Sequence, residues 1–269
     1  MIKTVKTINL KIANFPIKLV FHPTDWPANR DHLIQEVLFM LSGFMVKTSP
    51  KKTGIKIHFI DRLNLNILSN KAGNKNFINF YEYRRKKSYT SFYHIGIIQL
   101  NIIIRTILQN FLADSNGLII HGSAVLNGRQ AYIFLGRSGA GKSTIMNLLA
   151  DKYKPLADDT IIIKKENKRY YLYQTPMMDK QAWVKKTSRK YAVGKLFFLR
   201  QKDSYTCKKI KNKNSITKKM IKVFFTNKNH SKKQMKFLLE FISCSDLFYD
   251  LYSGLDKKKV FDLFSWKAI

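Results

Sequence analysis

Apolar and polar positions alternate from Lys3 to about Val20, with many β-branched residues, which predicts a hairpin or two edge strands interrupted by Pro16. The pattern then changes period. Asn29 to Leu41 carries apolar residues at helical spacing, with Pro27 shortly before, an Asn or Asp available as a cap, and Gly43 as a stop. Ser49 to Gly54 reads as a turn and Ile55 to Ile60 as an alternating strand, with His58 on its polar face. Asn70 to Lys87, which holds the basic group Arg84 to Lys87, reads as a strand with a charged turn, and Tyr89 to His94 as another strand. Ile97 to Leu112 is apolar around most of its circumference, as a helix packed between layers would be.

A run of strand signals comes next. Ser115 to Gly117 forms a turn, and Leu118 to Leu126 a strand closed by Asn127-Gly128, a strong hairpin signal between two apolar strands. Ala131 to Leu135 completes the hairpin, Ser143 to Asp151 has helical spacing, and Thr160 to Ile163 is a strand for which Tyr170 to Tyr173 supplies the return. Gln181 to Lys190 is basic and poorly patterned. Lys195 to Arg200 reads as a core strand, Ile216 to Phe225 and Ser231 to Ile242 as helices, and Leu247 to Tyr252 as a strand that closes the sheet. The fold class predicted is mixed α/β: a small α+β region over 1–113, then a larger domain with a mixed sheet over 114–269 whose core begins near Leu118.

Composition narrows the partners. Forty-nine Lys and Arg stand against seventeen Asp and Glu, a formal net charge of +32, which favours anionic partners. The excess is spread along the chain with abundant Asn and Ile, so a dedicated nucleic-acid role is the lesser reading. Cys207 and Cys244 form no metal-ligand or disulfide pattern, which suits a reducing cytoplasm. The amino terminus lacks the apolar core of a signal peptide, and polar residues interrupt Ile95 to Leu112 too often for a membrane span; a soluble protein is expected.

The sharpest chemistry lies at Gly136-Arg137-Ser138-Gly139-Ala140-Gly141-Lys142-Ser143-Thr144, a complete G-x-x-x-x-G-K-[ST] loop between a strand and a helix. Its glycines let backbone N–H groups turn inward to phosphate oxygens, Lys142 supplies a positive charge, Ser143 offers a hydroxyl to Mg²⁺, and the helix start faces the anion. ATP with Mg²⁺ is the ligand expected. Downstream, Asp158 and Asp159 come after the loop helix, where the chain returns to the sheet. One carboxylate there can hold Mg²⁺ through its waters and the other accept a proton from an attacking hydroxyl, since successive strand residues face opposite ways.

His121-Gly122 on a strand, the Asn127-Gly128 hairpin, the loop Gly136 to Thr144 and Ala157-Asp158-Asp159 together resemble the catalytic domain of HPr kinase/phosphorylase and its bacterial relatives, well over Leu118 to Ile163 and weakly to Phe197-Phe198-Leu199-Arg200-Gln201. The resemblance implies a P-loop kinase with a phosphoenolpyruvate-carboxykinase-like fold that phosphorylates a serine hydroxyl. It implies Asp159 as general base, Lys142 and Ser143 at phosphate and Mg²⁺, Asp158 beside the metal, and His121 as the histidine on the strand before the loop. His121 reads equally well as a hydrogen-bonded histidine beneath that loop. The family's later metal-binding glutamate and its dephosphorylation arginine have no counterpart; Glu166, the one nearby Glu, sits in a charged turn. The expected acceptor is an acidic protein or peptide or a small serine-containing molecule; the sequence leaves the oligomeric state open, a homo-oligomer being one option. The alternative is a nucleotide-switched binding protein whose basic surface meets nucleic acid or an acidic partner.

Overall fold

The structure, a computed structural model, describes residues 4–47, 54–61, 69–72, 75–78, 80–85, 87–225 and 231–265. The chain divides into two compact units, 1–107 and 108–269. The first is built on strands β1 (Lys6–Ile12), β2 (Phe15–Phe21), β3 (Ile55–Ile60), β6 (Glu82–Tyr83) and β7 (Ser88–Phe92), in the order β1-β2-β3-β7-β6, with a separate hairpin of β4 (Ser69–Ala72) and β5 (Lys75–Ile78). The predicted turn over Ser49 to Gly54 falls, except for Gly54, outside the described residues.

Two expectations for this unit are corrected. The chain reverses at Ala13-Asn14, both at positive φ, rather than at Pro16. Pro16 pairs with Lys11 of β1, and β3 joins β2 only from Ile17 onward, so the missing N–H breaks no ladder on that side. Helix α1 (Pro27–Met40) begins at Trp26 with no side-chain cap; Pro27 occupies the first turn, where its fixed φ and absent N–H cost nothing, and so the helix starts before Asn29. Alternation along β2 and β3 buries Ile17, Leu19, Phe21, Ile57 and Phe59, and Phe21 stacks on Phe59 at 4.9 Å. Helix α2 (Ile97–Asp114) ends the unit and leads into the next.

Among the described residues, the second unit holds nine strands. Its axis is β8 (Gly117–Asn127), which changes partners halfway. The half to His121 pairs with β11 (Thr160–Glu166) and with β15 (Phe224–Phe225), while the half from Gly122 pairs with β9 (Gln130–Leu135) and, at its end, with β10 (Lys154–Ala157). β9 runs parallel to β13 (Lys190–Gln201), and β13 parallel to β16 (Phe248–Ser253); β12 (Arg169–Gln174) joins β11 to the start of β13, and β14 (Thr206–Lys209) edges β16. The result is a mixed α/β fold with a mixed sheet.

Helices cover both faces of this sheet, which explains the unbroken apolar run in β13. Leu196 and Phe198 pack under α4 (Lys213–Ile221) and α5 (Ser231–Ser243) with Ile216, Met220 and Phe241. Phe197 and Leu199 point the other way, to α3 (Lys142–Leu149) and α6 (Lys257–Ser265), where they meet Ile145, Met146, Val260 and Phe264. The helix predicted at Ile216 to Phe225 is shifted. Asn212 caps it by accepting the Ser215 N–H at 3.0 Å, and the chain leaves it after Ile221, so that Phe224 and Phe225 pair as β15. β14 is four residues long and mostly exposed, too short to show a period, and α6 is an unexpected helix that buries Val260 and Phe264 four residues apart.

Candidate functional site

The phosphate loop leaves the carboxyl end of β9, where the parallel strands β9, β13 and β16 end together; in open α/β sheets such edges are where ligands bind. Gly139 (φ 78°) and Gly141 (φ 90°) adopt left-handed conformations that disfavour a side chain, and Gly141 is the residue from which α3 starts. Two bonds clamp the loop from the sheet. Ser123 Oγ donates to the Lys142 carbonyl at 2.9 Å, and Gln201 Nε2 donates to the Gly139 carbonyl at 3.0 Å. Arg137, Ser138 and Thr144 are exposed around the rim, while Ala140 and Ser143 are half-buried.

Lys142 is buried, and its ammonium donates to the Gly136 and Arg137 carbonyls, each at 3.0 Å. Burial pushes its pKa down and so does the neighbouring Lys180; Asp159 and Asp158 pull the other way. Both aspartates therefore lie close enough to Lys142 for their charges to be felt.

The aspartates sit in a bend between β10 and β11 rather than within a strand, which corrects the expected alternation. The β10–β8 register slips between Pro155 and Ala157, a bulge that re-aims the two residues beyond it. Asp158 is 1% exposed, and neither carboxylate oxygen has a well-formed hydrogen-bond partner. Burial raises its pKa, opposed mainly by the Ser143 hydroxyl, which favours the ionised form. Asp159 is more open: its side chain is 28% exposed, and Oδ1 stands 3.4 Å from His121 Nδ1. The Gly122 N–H donates to the Asp159 carbonyl at 3.0 Å, and Thr160 Oγ1 donates to Asp159 Oδ2 at 2.9 Å. Burial first and Lys142 next hold His121 below its ordinary pKa against the pull of Asp159, and so favour the neutral ring. Its ring meets the edge of Phe225.

The end of β12 and the loop after it close this corner with residues the sequence pattern gave no reason to single out. Gln174, fully buried, donates to the Leu156 and Lys185 carbonyls and accepts from the Thr187 N–H and hydroxyl. Thr175 Oγ1 donates to the Thr160 carbonyl at 3.0 Å. Asp179 and Lys186 pair at 3.1 Å, their side chains 2% and 15% exposed. Between them in sequence, Lys180 adds positive charge at Lys142, His121 and Asp158. Lysines in an unpatterned basic stretch look alike in sequence, so nothing marked this one.

Asp158 and Ser143 suit a hard cation: their oxygens adjoin, and the carboxylate is buried with bonding capacity to spare. Among the described residues, no group of three or more His, Cys, Asp or Glu side chains could hold a metal alone. A Mg²⁺ ion at Asp158 and Ser143 would take its other oxygens from phosphates and water, as this ion commonly does. Glu166 is not near such a site. It ends β11, where it accepts from Tyr173 Oη at 2.7 Å and pairs with Lys190 at 2.8 Å and Lys164 at 3.3 Å.

Two cavities flank the loop. One, of about 530 Å³, lies against Ala140, Gly141, Thr144, Leu148 and Leu255. The other, of about 400 Å³, is bounded by Gly136, Arg137, Arg200, Lys219, Lys222 and Asp250.

Residues 123–255, just under half of the chain, match the family model described as ABC transporter. No curated protein matches the chain. Among solved structures, the Hpr(Ser) kinase/phosphatase from Coxiella burnetii is similar at 14% identity, over 46% of this chain and 95% of that one, with a TM-score of 0.25. The matched span runs from the middle of β8 through the phosphate loop to β16, and with the loop geometry it makes residues 108–269 a P-loop nucleotide-binding unit. Among the described residues no helix is long and apolar enough to cross a membrane.

Proposed function

We propose that the chain is an ATP-dependent kinase that moves the γ-phosphoryl group to a serine hydroxyl on a protein, a peptide or a small acceptor, with residues 114–269 as its catalytic part. The observation that supports this best is the placing of two carboxylates with different environments beside one phosphate loop. Asp158, buried against Ser143, suits a metal; Asp159, partly open and 3.4 Å from His121, suits a proton acceptor.

Each group then has a task. The loop N–H groups and Lys142 hold the terminal phosphates. Asp158 and Ser143 hold Mg²⁺, which when bound neutralises charge on the phosphate oxygens. Asp159 takes the proton of the acceptor hydroxyl as its oxygen forms a bond to the γ-phosphorus, and the bond from that phosphorus to the bridging oxygen breaks, leaving ADP with the electron pair. His121, neutral, keeps the Asp159 carboxylate aimed. As a prediction, Asp159→Asn leaves MgATP affinity within about two-fold and slows transfer by about 10²–10⁴-fold, the usual worth of a general base. Equal single-turnover rates in mutant and wild type would remove the assignment.

A second reading is favoured by the ABC transporter match over residues 123–255: ATP hydrolysis, with water as acceptor and the cycle driving a conformational change. The two readings part on one measurement. A kinase releases little inorganic phosphate with or without an acceptor, and makes ADP while labelling the acceptor once one is added; an ATPase releases phosphate at the same rate with or without one. A nucleotide-switched nucleic-acid binder would instead show tight binding that falls steeply with salt and changes with ATP.

A further inference from the structure

The 400 Å³ cavity beside the loop differs from its neighbour in charge. Four cations, Arg137, Arg200, Lys219 and Lys222, face one carboxylate, Asp250. Lys219 Nζ donates to both Asp250 oxygens, at 2.6 and 2.7 Å, and lies 5.3 Å from the centre of the Phe198 ring; Arg200 Nε stands 3.6 Å from Asp250 Oδ1. Two cations are thus held in place by an internal anion, and the exposed Arg137 and Lys222 border the opening. The volume is within the range of small-ligand sites.

Its position ties it to the transfer site. Gly136 and Arg137 belong to the phosphate loop, and their carbonyls receive the Lys142 ammonium. Val223, also in the wall, accepts the His121 backbone N–H at 2.7 Å, and His121 meets Asp159. The larger cavity opens on the α3 side of the loop at Gly141 and Thr144, whereas this one opens on the α4 side at Lys219 and Lys222. With the nucleoside on the α3 side, in-line transfer, which needs donor and acceptor on opposite sides of the moving group, brings the acceptor to the α4 side.

We propose that this cavity binds an anionic oxygen group, carboxylate or phosphate, carried by the molecule that receives the phosphoryl group. That this molecule accepts the phosphoryl group rests on the kinase reading; the anion site itself does not. Arg137, Arg200 and Lys222 supply the charge, and the incoming anion competes with Asp250 for Lys219.

The test is titration calorimetry of the full chain saturated with MgADP, using inorganic phosphate and malonate as probes, so that the tighter one tells phosphate from carboxylate. The double variant Arg200→Gln/Lys222→Gln is expected to weaken the tighter probe by about ten-fold or more, the size of a lost charge-assisted hydrogen bond. Asp250→Asn is expected to tighten it several-fold by removing the competing anion, a gain that a merely structural carboxylate would not give. Lys232→Gln/Lys236→Gln, which removes the same charge from the exposed side of α5, should change it by no more than about two-fold, with MgADP affinity unchanged in all variants. Equal binding in the cavity double variant and wild type, an equal loss in the α5 control, or no gain in Asp250→Asn overturns the proposal. If no hydroxyl is ever phosphorylated yet anion binding tracks the variants, the kinase reading fails and the anion site stands. If transfer proceeds with an acceptor KM that Arg200→Gln/Lys222→Gln does not move, the site fails and the kinase stands.

Discussion

His121 Nδ1 lies 3.4 Å from Asp159 Oδ1 because β8 and β11 pair in a register that sets His121 opposite Thr160. A strand before the phosphate loop and a bend after its helix are brought together by that ladder and by the β10–β8 pairing on the other side of the bend. If His121 only aims the carboxylate, His121→Ala should lower the single-turnover rate of transfer by about 10²-fold, the cost of a misplaced group, with MgATP affinity unchanged. His121→Asn, which can still donate, should recover part of it. Loss of nucleotide binding in both would mean that the histidine supports the loop instead.

Asp158 is a buried carboxylate whose pKa is raised, so the folded state holds its proton more tightly than the unfolded chain does. The sign is the reverse of the usual aspartate: it costs stability above the ordinary carboxylate value, and that cost fades as pH falls through the folded pKa toward the unfolded one. Asp158→Asn should therefore raise stability at neutral pH by about 1–2 kcal/mol in the absence of divalent metal, and the gain should shrink in acid. The same variant should lose most of the Mg²⁺ dependence of nucleotide binding. Denaturant titrations at two pH values, with and without MgATP, measure both effects.

The Asp179–Lys186 pair stands almost out of solvent, with Lys186 also donating to the Met177 carbonyl. Removing one partner leaves the other charge stranded. Lys186→Ala should cost about 3–5 kcal/mol in urea unfolding, whereas Asp179→Leu/Lys186→Met, which removes both charges, should cost far less. A single mutant no worse than the double would show that the pair is solvated.

In the first unit His22 Nε2 and His58 Nδ1 are 2.8 Å apart with their rings stacked, and burial, then His22, Lys56 and Lys18, hold the His58 pKa below 6.5. A histidine with a lowered folded pKa contributes stability that is complete above 6.5 and is lost as pH falls through the folded value. Melting temperature should drop as pH falls below 6.5, and His58→Gln should flatten that slope. An unchanged slope in the mutant would place the effect elsewhere. The polar face assigned to His58 from alternation gave no sign of this pairing, because cross-strand neighbours between β2 and β3 depend on a register that sequence does not print.

The same distinction runs through the second unit. The glycines and Lys142 were legible because a phosphate loop imposes residue types at fixed spacing, and the strands and helices beside it because their apolar periods are long. Asp158 and Asp159 were legible as a pair, but their division of exposure comes from a bulge in β10, which no local pattern announces. Lys180, Gln174 and the Asp179–Lys186 pair were invisible for a similar reason. Their roles come from how an irregular loop folds against β10 and β11, and a loop has no period to read. Asp250 sits in a strand that reads as apolar, and the approach of Lys219 from α4 and of Arg200 from β13 gives its charge a context.

β8 is an eleven-residue ruler laid across both halves of the nucleotide-binding unit. Sliding it by one notch against β11 would turn His121 from the aspartates to the opposite side of the sheet, and would carry Ser123 away from the loop it secures. A one-residue insertion there, though far from any phosphate, should silence the protein as thoroughly as deleting a lysine from the loop, while an insertion in the exposed Gly128-Arg129 hairpin tip should pass unnoticed.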